Sequence, residues 1–179
     1  MAEKLDWLKR LLVTAGAFAF FGVAGVLYQL ILYPYARTYK TNRLETQLKV
    51  RSRVSRIWHY FVRYLVWGGV LDVSYKGFEK LGRPGQLVLV NHPSLLDVVL
   101  IFGQEPRFNC IVKKELLHNP TMRNQILACG FLPNEESLEL LEKCDEVLKK
   151  QTLLLFPEGT RTGWDGTVKL NRGAVSIGF

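Results

Sequence analysis

The chain has 179 residues, 48% of them hydrophobic, and a formal net charge of +8 at pH 7. That length holds one domain with a core plus an appendage. Between Arg37 and Arg63 eight Lys and Arg stand against the single acid Glu45, a net of +7, so the excess charge lies in one segment; this excludes a nucleic-acid-binding domain, whose basic footprint belongs on the folded unit.

From Leu11 to Ala36 there is no charged residue. At 1.5 Å per residue this run exceeds the roughly 30 Å of a hydrocarbon core, and Trp7, Tyr33 and Tyr35 flank it as an aromatic belt would. A cleaved signal peptide has a shorter apolar core. Two readings stay open: a spanning helix, or a hairpin dipping into one leaflet with a bend near Gly22 and Gly25. Residues 1–36 therefore read as a membrane-spanning or membrane-embedded segment.

Residues 37–67 read as a basic amphipathic juxtamembrane helix. Leu44, Leu48, Val54, Trp58, Phe61 and Leu65 recur every three to four residues, with one break near Arg51. The basic side chains suit anionic lipid headgroups, and the positive-inside tendency puts the following domain on the cytoplasmic side. Such a helix can pack on that domain or lie in the membrane interface. His59, between Trp58 and Tyr60, reads as a packing or interfacial residue.

Beyond Trp67 short apolar runs alternate with helical stretches. Strands are expected near 70–75, 86–90, 108–112, 131–132 and 152–156, and helices near 95–102, 121–129 and 137–150. The rhythm is α/β, a mixed sheet flanked by helices, over residues 68–179. Gly82 to Gly85 reads as a turn, Gly130 as a helix stop, and Leu138, Leu141, Val147 and Leu148 as a core face. Cys110, Cys129 and Cys144 are widely spaced and odd in number, which suggests buried reduced thiols, with no metal-site spacing.

Two motifs carry chemistry. Asn91-His92-Pro93-Ser94-Leu95-Leu96-Asp97 follows one apolar run, and Phe156-Pro157-Glu158-Gly159-Thr160-Arg161 follows another. Each therefore sits at a strand's carboxyl end, where open α/β sheets hold their ligands. A histidine with an aspartate nearby can act as an oriented general base, provided His92 precedes the helix that Pro93 opens. Taken alone, His92 also fits a histidine satisfied within a strand-to-helix turn.

These blocks, with Lys113-Lys114-Glu115-Leu116 and Pro120 between them, resemble in order and spacing the glycerolipid acyltransferases typified by 1-acylglycerol-3-phosphate acyltransferase. The resemblance runs from about Tyr75 to Phe179. It implies a membrane-bound O-acyltransferase of phospholipid biosynthesis, with acyl-CoA or acyl carrier protein as cosubstrate and neither metal nor cofactor. It further implies that His92 takes the acceptor hydroxyl's proton and Asp97 fixes its tautomer. Glu158, Gly159, Thr160 and Arg161 would then bind substrate: Arg161 the phosphate, Glu158 an acceptor hydroxyl or Arg161 itself, and Gly159 a close backbone approach. Lys113 and Lys114 meet donor phosphates or are solvated loop charges; Lys169 and Arg172 are similar candidates, and His118 is a surface turn residue. Ser94 is read as a capping or packing residue rather than a covalent nucleophile.

Two departures shape the expectation. The family commonly carries an arginine where this chain has Pro133-Asn134-Glu135, so the acceptor is 1-acylglycerol-3-phosphate held by Arg161 and Lys169, or else a phosphate-free lipid or polyene alcohol. The family also continues into a further strand and a fourth, proline-containing motif, so the acyltransferase domain is expected to be truncated at Phe179. A non-catalytic membrane-bound module for lipids or acyl carriers is the alternative of a different class.

Overall fold

The computed structural model describes residues 2–37, 44–91, 94, 96–135 and 137–158. Two long helices, α1 (Ala2–Arg37) and α2 (Leu44–Trp67), precede an alternating unit of β1 (Leu87–Leu89), α3 (Asp97–Phe102), β2 (Phe108–Lys113), α4 (Arg123–Cys129), β3 (Leu132–Asn134), α5 (Leu138–Leu148) and β4 (Thr152–Leu155). The sheet order is β1-β4-β2-β3. All its pairings among the described residues are parallel, so the antiparallel member that a mixed sheet calls for is not among them. The strand expected at 70–75 does not form. The backbone N–H groups of Val70 and Leu71 both bond to the carbonyl of Leu65, which ties this stretch to the end of α2 instead of to a neighbouring strand.

Strand residues alternate between the two faces of the sheet. Along β4, Leu153 and Leu155 join Ile111, Leu132, Leu140 and Cys144 beneath α5. Leu154 faces the other way, with Phe108, Cys110, Phe102, Val50, Val54 and Leu32, under α1, α2 and α4. The fold is thus three layers, helix on sheet on helix, which is how parallel strands are covered on both faces. On α5 the buried positions are Leu140 and Cys144, continued by the partly buried Val147 and Leu148. Leu138, expected in that core, is 79% exposed. It stands directly after the N-cap Ser137, whose hydroxyl accepts from Leu140 N, and the 3.6-residue repeat starting at Leu140 turns it outward.

α1 is one unbroken helix of 36 residues, about 54 Å long at 1.5 Å per residue. It runs through Gly22 and Gly25 without interruption and lies antiparallel to α2. Lys9 Nζ donates to Trp67 O at 3.1 Å, the Tyr64 hydroxyl donates to Val13 O at 3.2 Å, and Phe20 and Phe21 pack on Phe61 and Trp58. Farther along, Asn124 of α4 donates through its backbone N and its Nδ2 to Gln29, and Leu32 enters the core. Its other side is apolar and exposed, including Leu12, Phe18, Val23, Leu27, Leu30 and Ile31.

The break in the apolar repeat of α2 is its most buried residue. Arg51 is 0% exposed. Its guanidinium donates to Cys129 O at 2.6 Å, Phe108 O at 3.0 Å and Gln151 Oε1 at 2.6 Å, and lies over the Phe131 ring. One side chain thereby joins α2 to the end of α4, the start of β2 and the entry to β4. Arg51 is therefore not one of the charges offered to a lipid surface; exposed Lys49, Arg53, Arg56 and Arg63 remain. Two glycines permit the tight joints. At Gly103 a Cβ would collide with the Val99 carbonyl oxygen at 2.9 Å and crowd the α2 backbone at Trp58 and His59, and Gly130 closes α4 at φ +66° against Gln47. His59 is half-buried, its Nδ1 3.5 Å from Gln104 Nε2, in keeping with a packing role.

Candidate functional site

Because the described strands run parallel, their carboxyl ends share one edge of the sheet, and the described candidates Asp97, Lys113, Lys114 and Glu158 lie at or beyond one of those ends. Val90 N donates to Leu155 O at 3.0 Å, which extends the β1–β4 pairing by one residue. The chain segments that leave β1 toward Asn91 and β4 toward Phe156 therefore depart side by side. His92, Gly159, Thr160 and Arg161 lie outside the described residues, as do Lys169 and Arg172.

Asp97 is the first residue of α3 and half-buried. Its Oδ2 accepts from Ser94 N at 2.8 Å and its Oδ1 from Ser94 Oγ at 2.8 Å, while Leu96 N donates to the same Ser94 Oγ at 3.2 Å. The carboxylate is thus clamped by the turn that leads into the helix, and the serine hydroxyl proton is committed to it. A helix start also favours a carboxylate, since the unpaired N–H groups there carry partial positive charge. Ser94 is the residue whose part in the site had no strong sequence signal. Its spacing to Asp97 is that of a local turn, and a serine at a helix start more often caps than clamps a carboxylate.

Glu158 lies three residues beyond β4 and is 9% exposed, with Pro157 buried beside it. Lys113 ends β2 and pairs in register with Asn134 of β3. Lys114 and Glu135 follow that matched pair, and Lys114 Nζ meets Glu135 Oε1 at 2.9 Å. The ammonium holds the Glu135 carboxyl below its ordinary range, by hydrogen bond first and charge second, with a smaller contribution from Lys143. His118 is exposed in the short 3-10 helix Lys114–His118. Among the described residues no three His, Cys, Asp or Glu side chains gather as a metal site needs.

Away from the rim, burial pushes the Cys110 and Cys129 thiols up to about 12 and that of Cys144 up to about 11. As thiols that keep their protons, they are poor nucleophiles. An apolar cleft opens between α1, α2 and α4, lined by Phe21, Gly25, Tyr28, Trp58 and Met122 among others. Met122 immediately precedes α4, whose N-terminal end follows β2 and so lies toward the carboxyl edge of the sheet.

A family model described as Acyltransferase matches residues 72–178. The chain is 29% identical over 131 residues to the putative 1-acyl-sn-glycerol-3-phosphate acyltransferase acl-2 of Caenorhabditis elegans, covering 68% of this chain and 46% of that protein. It is 33% identical over 110 residues to the 1-acyl-sn-glycerol-3-phosphate acyltransferase of Helicobacter pylori, covering 55% and 46%. The crystal structure of the 1-acyl-sn-glycerophosphate acyltransferase PlsC from Thermotoga maritima superposes with a TM-score of 0.64 at 27% identity, covering 95% of this chain and 69% of that one. The chain spans about half the length of the curated relatives it matches.

Proposed function

Since the chain belongs to the acyltransferase family, we propose that it moves a fatty acyl group from an acyl thioester to a hydroxyl of a membrane lipid, the acceptor being 1-acylglycerol-3-phosphate. The observation that carries this reading is the Asp97 carboxylate, clamped by Ser94 at the start of α3, five residues beyond His92 in the segment that leaves the carboxyl end of β1. An alcohol is a weak nucleophile, and binding alone has no need of an oriented base at that place. The acceptor assignment draws on the relatives, whose names include it.

In the mechanism, His92 removes the proton from the acceptor hydroxyl as its oxygen attacks the thioester carbonyl. Asp97 holds the ring in the right tautomer and offsets the charge that the imidazolium gains. Collapse of the tetrahedral intermediate breaks the carbon–sulfur bond, and the imidazolium proton passes to the departing thiolate. Ser94, with its hydroxyl proton directed at Asp97, acts as a positioning residue and forms no acyl-enzyme. Glu158 and the Gly159-Thr160-Arg161 loop bind the acceptor, Arg161 taking its phosphate through paired hydrogen bonds. The cleft beside Trp58 and Met122 gives an acyl chain apolar room near the rim.

The same reading sets the enzyme at a bilayer. α1 is long and apolar enough to cross one, yet it is docked to α2 and α4 from Lys9 to Leu32. An upright crossing would carry exposed Arg53, Arg56 and Arg63 of α2 into hydrocarbon, at a cost of about 2.5–3.5 kcal/mol for each charge at the midplane. α1 therefore lies along one leaflet, its exposed apolar side immersed and the arginines of α2 at the anionic cytoplasmic headgroups. Labelled acyl-CoA and acyl carrier protein, offered with lysophosphatidate or with a phosphate-free lipid alcohol, test the function. Transfer that vanishes in His92→Ala is the expected result, and transfer that survives it refutes the scheme.

A further inference from the structure

Three cationic or anionic side chains stand where β2 and β3 reach the carboxyl edge, and the parallel register dictates how they meet. Lys113 and Asn134 are paired in register, so the next residues, Lys114 and Glu135, emerge side by side and close an ion pair of 2.9 Å. Both remain open to solvent, with 57% and 39% of their side chains exposed. Among the described residues Lys113, also exposed, has no ion pair. The sheet order places β2 next to β4 and two strands from β1, about 10 Å at the usual strand spacing. A phosphate group of a substrate reacting at the end of β1 comes within reach of that position.

A lone lysine ammonium at such a place is a point-charge ligand for phosphate. With Glu135 against it, Lys114 belongs to a pair of zero net charge and has a hydrogen-bonding direction already taken. We infer that Glu135 is a specificity-determining residue which, by holding Lys114, limits how strongly the β2–β3 rim binds the phosphate group of a substrate and leaves Lys113 as the cation offered there. The inference deepens the proposed transfer reaction and rests on it for the identity of the substrate. The phosphate has two sources, the lipid acceptor and the nucleotide portion of the acyl donor, and both would meet the same chemistry.

The pair is exposed, and exposed pairs contribute little to stability, so changing it tests binding and not folding. The experiment compares wild type, Glu135→Gln, Lys114→Ala and the double variant. One arm uses lysophosphatidate against the matching monoacylglycerol, and the other acyl-CoA against an acyl-pantetheine that lacks the nucleotide. Expected is a fall of about fivefold in KM, the size set by one exposed charge pair, in Glu135→Gln and only for the substrate whose phosphate uses the position. The kcat should change by less than about twofold, and the gain should disappear in the double variant. An unchanged KM for every substrate overturns the inference, as does a gain that persists without Lys114. Calorimetric binding of lysophosphatidate and of coenzyme A to the same proteins reads the same effect without turnover. A preparation that binds more tightly after Glu135→Gln yet transfers no acyl group would keep this inference and overturn the reaction.

Discussion

Replacing Arg51 by methionine removes a buried cation and three close hydrogen bonds while keeping much of the apolar stem. The groups left behind are the carbonyls of Cys129 and Phe108 and the side-chain amide of Gln151, each in a place Arg51 itself shields from water, being 0% exposed. A buried polar group deprived of its partner costs about 1–3 kcal/mol, so three give about 3–9, and local relaxation favours the lower end. Domain stabilities are about 5–15 kcal/mol in total. Arg51→Met is therefore expected to lower the unfolding free energy by at least about 3 kcal/mol. Arg51→Lys should lower it by nearly as much, because an ammonium cannot reach three acceptors spread around a planar fork. The assay is urea unfolding of the full chain in mild detergent, followed through the fluorescence of Trp58, which packs on the same core. A methionine variant as stable as wild type would refute the reasoning and show that apolar packing serves this joint as well, an outcome known for some buried charged networks.

At the site, His92→Ala is expected to reduce kcat by about 10³-fold and Asp97→Asn by at least about 10²-fold. Ser94→Ala should cost only about tenfold, since the carboxylate keeps one of its two bonds from this residue; complete loss in steady-state assays would instead mark a covalent serine. Cys110, Cys129 and Cys144 should resist alkylation at pH 8 until urea unfolds the chain, as mass spectrometry of the adducts would report. The first two hold their protons to about 12 when folded, against an ordinary 9.0. Between those values the folded state binds more protons than the unfolded state, so stability present below pH 9 is lost as pH rises toward 12, visible in melting curves. Val23→Asp with Leu30→Asp, two turns apart on the exposed side of α1, should leave the melting curve in detergent unchanged. The pair should weaken vesicle flotation more than tenfold, each loss of a buried apolar side chain being worth about 1.5–3 kcal/mol; undiminished flotation would refute immersion of this face.

Periodicity made much of the fold legible. β4 reads as a buried strand from four apolar-compatible residues in a row, and its 0% to 7% exposed leucines confirm a parallel strand covered on both faces. The stretch 70–75 misled for the same reason: Val70, Leu71, Val73 and Tyr75 have the composition and alternation of a strand, but strand formation needs a neighbour, and two of its N–H groups are already bound to the end of α2. Leu138 was misplaced because an apolar residue at a helix start fits either phase of the repeat, and only the capping geometry of Ser137 decides between them. Arg51 was visible as an interruption in an apolar face, yet nothing local distinguishes a defect from a buried anchor. Its acceptors lie 57, 78 and 100 residues away. Of the candidate site, the described Asp97, Lys113, Lys114 and Glu158 lie at or beyond strand ends, as their motifs suggest, whereas the Ser94 clamp and the Lys114–Glu135 pair depend on the turn and on strand register.

The anchor and the site lie at opposite edges of one sheet, and α2 connects them. Its N-terminal half is fixed through Arg51 to the entry edge of β2 and β4. Its C-terminal half packs Phe61, Val62 and Leu65 on Val99 of α3, with Leu96 and Leu100 at the margin. α3 begins with Asp97, so the helix that carries the exposed arginines also supports the element that positions the carboxylate. α1 joins the same cluster through Val13 and Ala17 and docks on α4 as well. In the proposed membrane setting, a bilayer that takes up the apolar side of α1 does more than tether the domain; through the two-helix contact it sets the height at which the rim meets the headgroups. A lipid acceptor needs that arrangement more than a soluble one does, because its hydroxyl sits at the headgroup level and cannot diffuse to a site held far above the membrane.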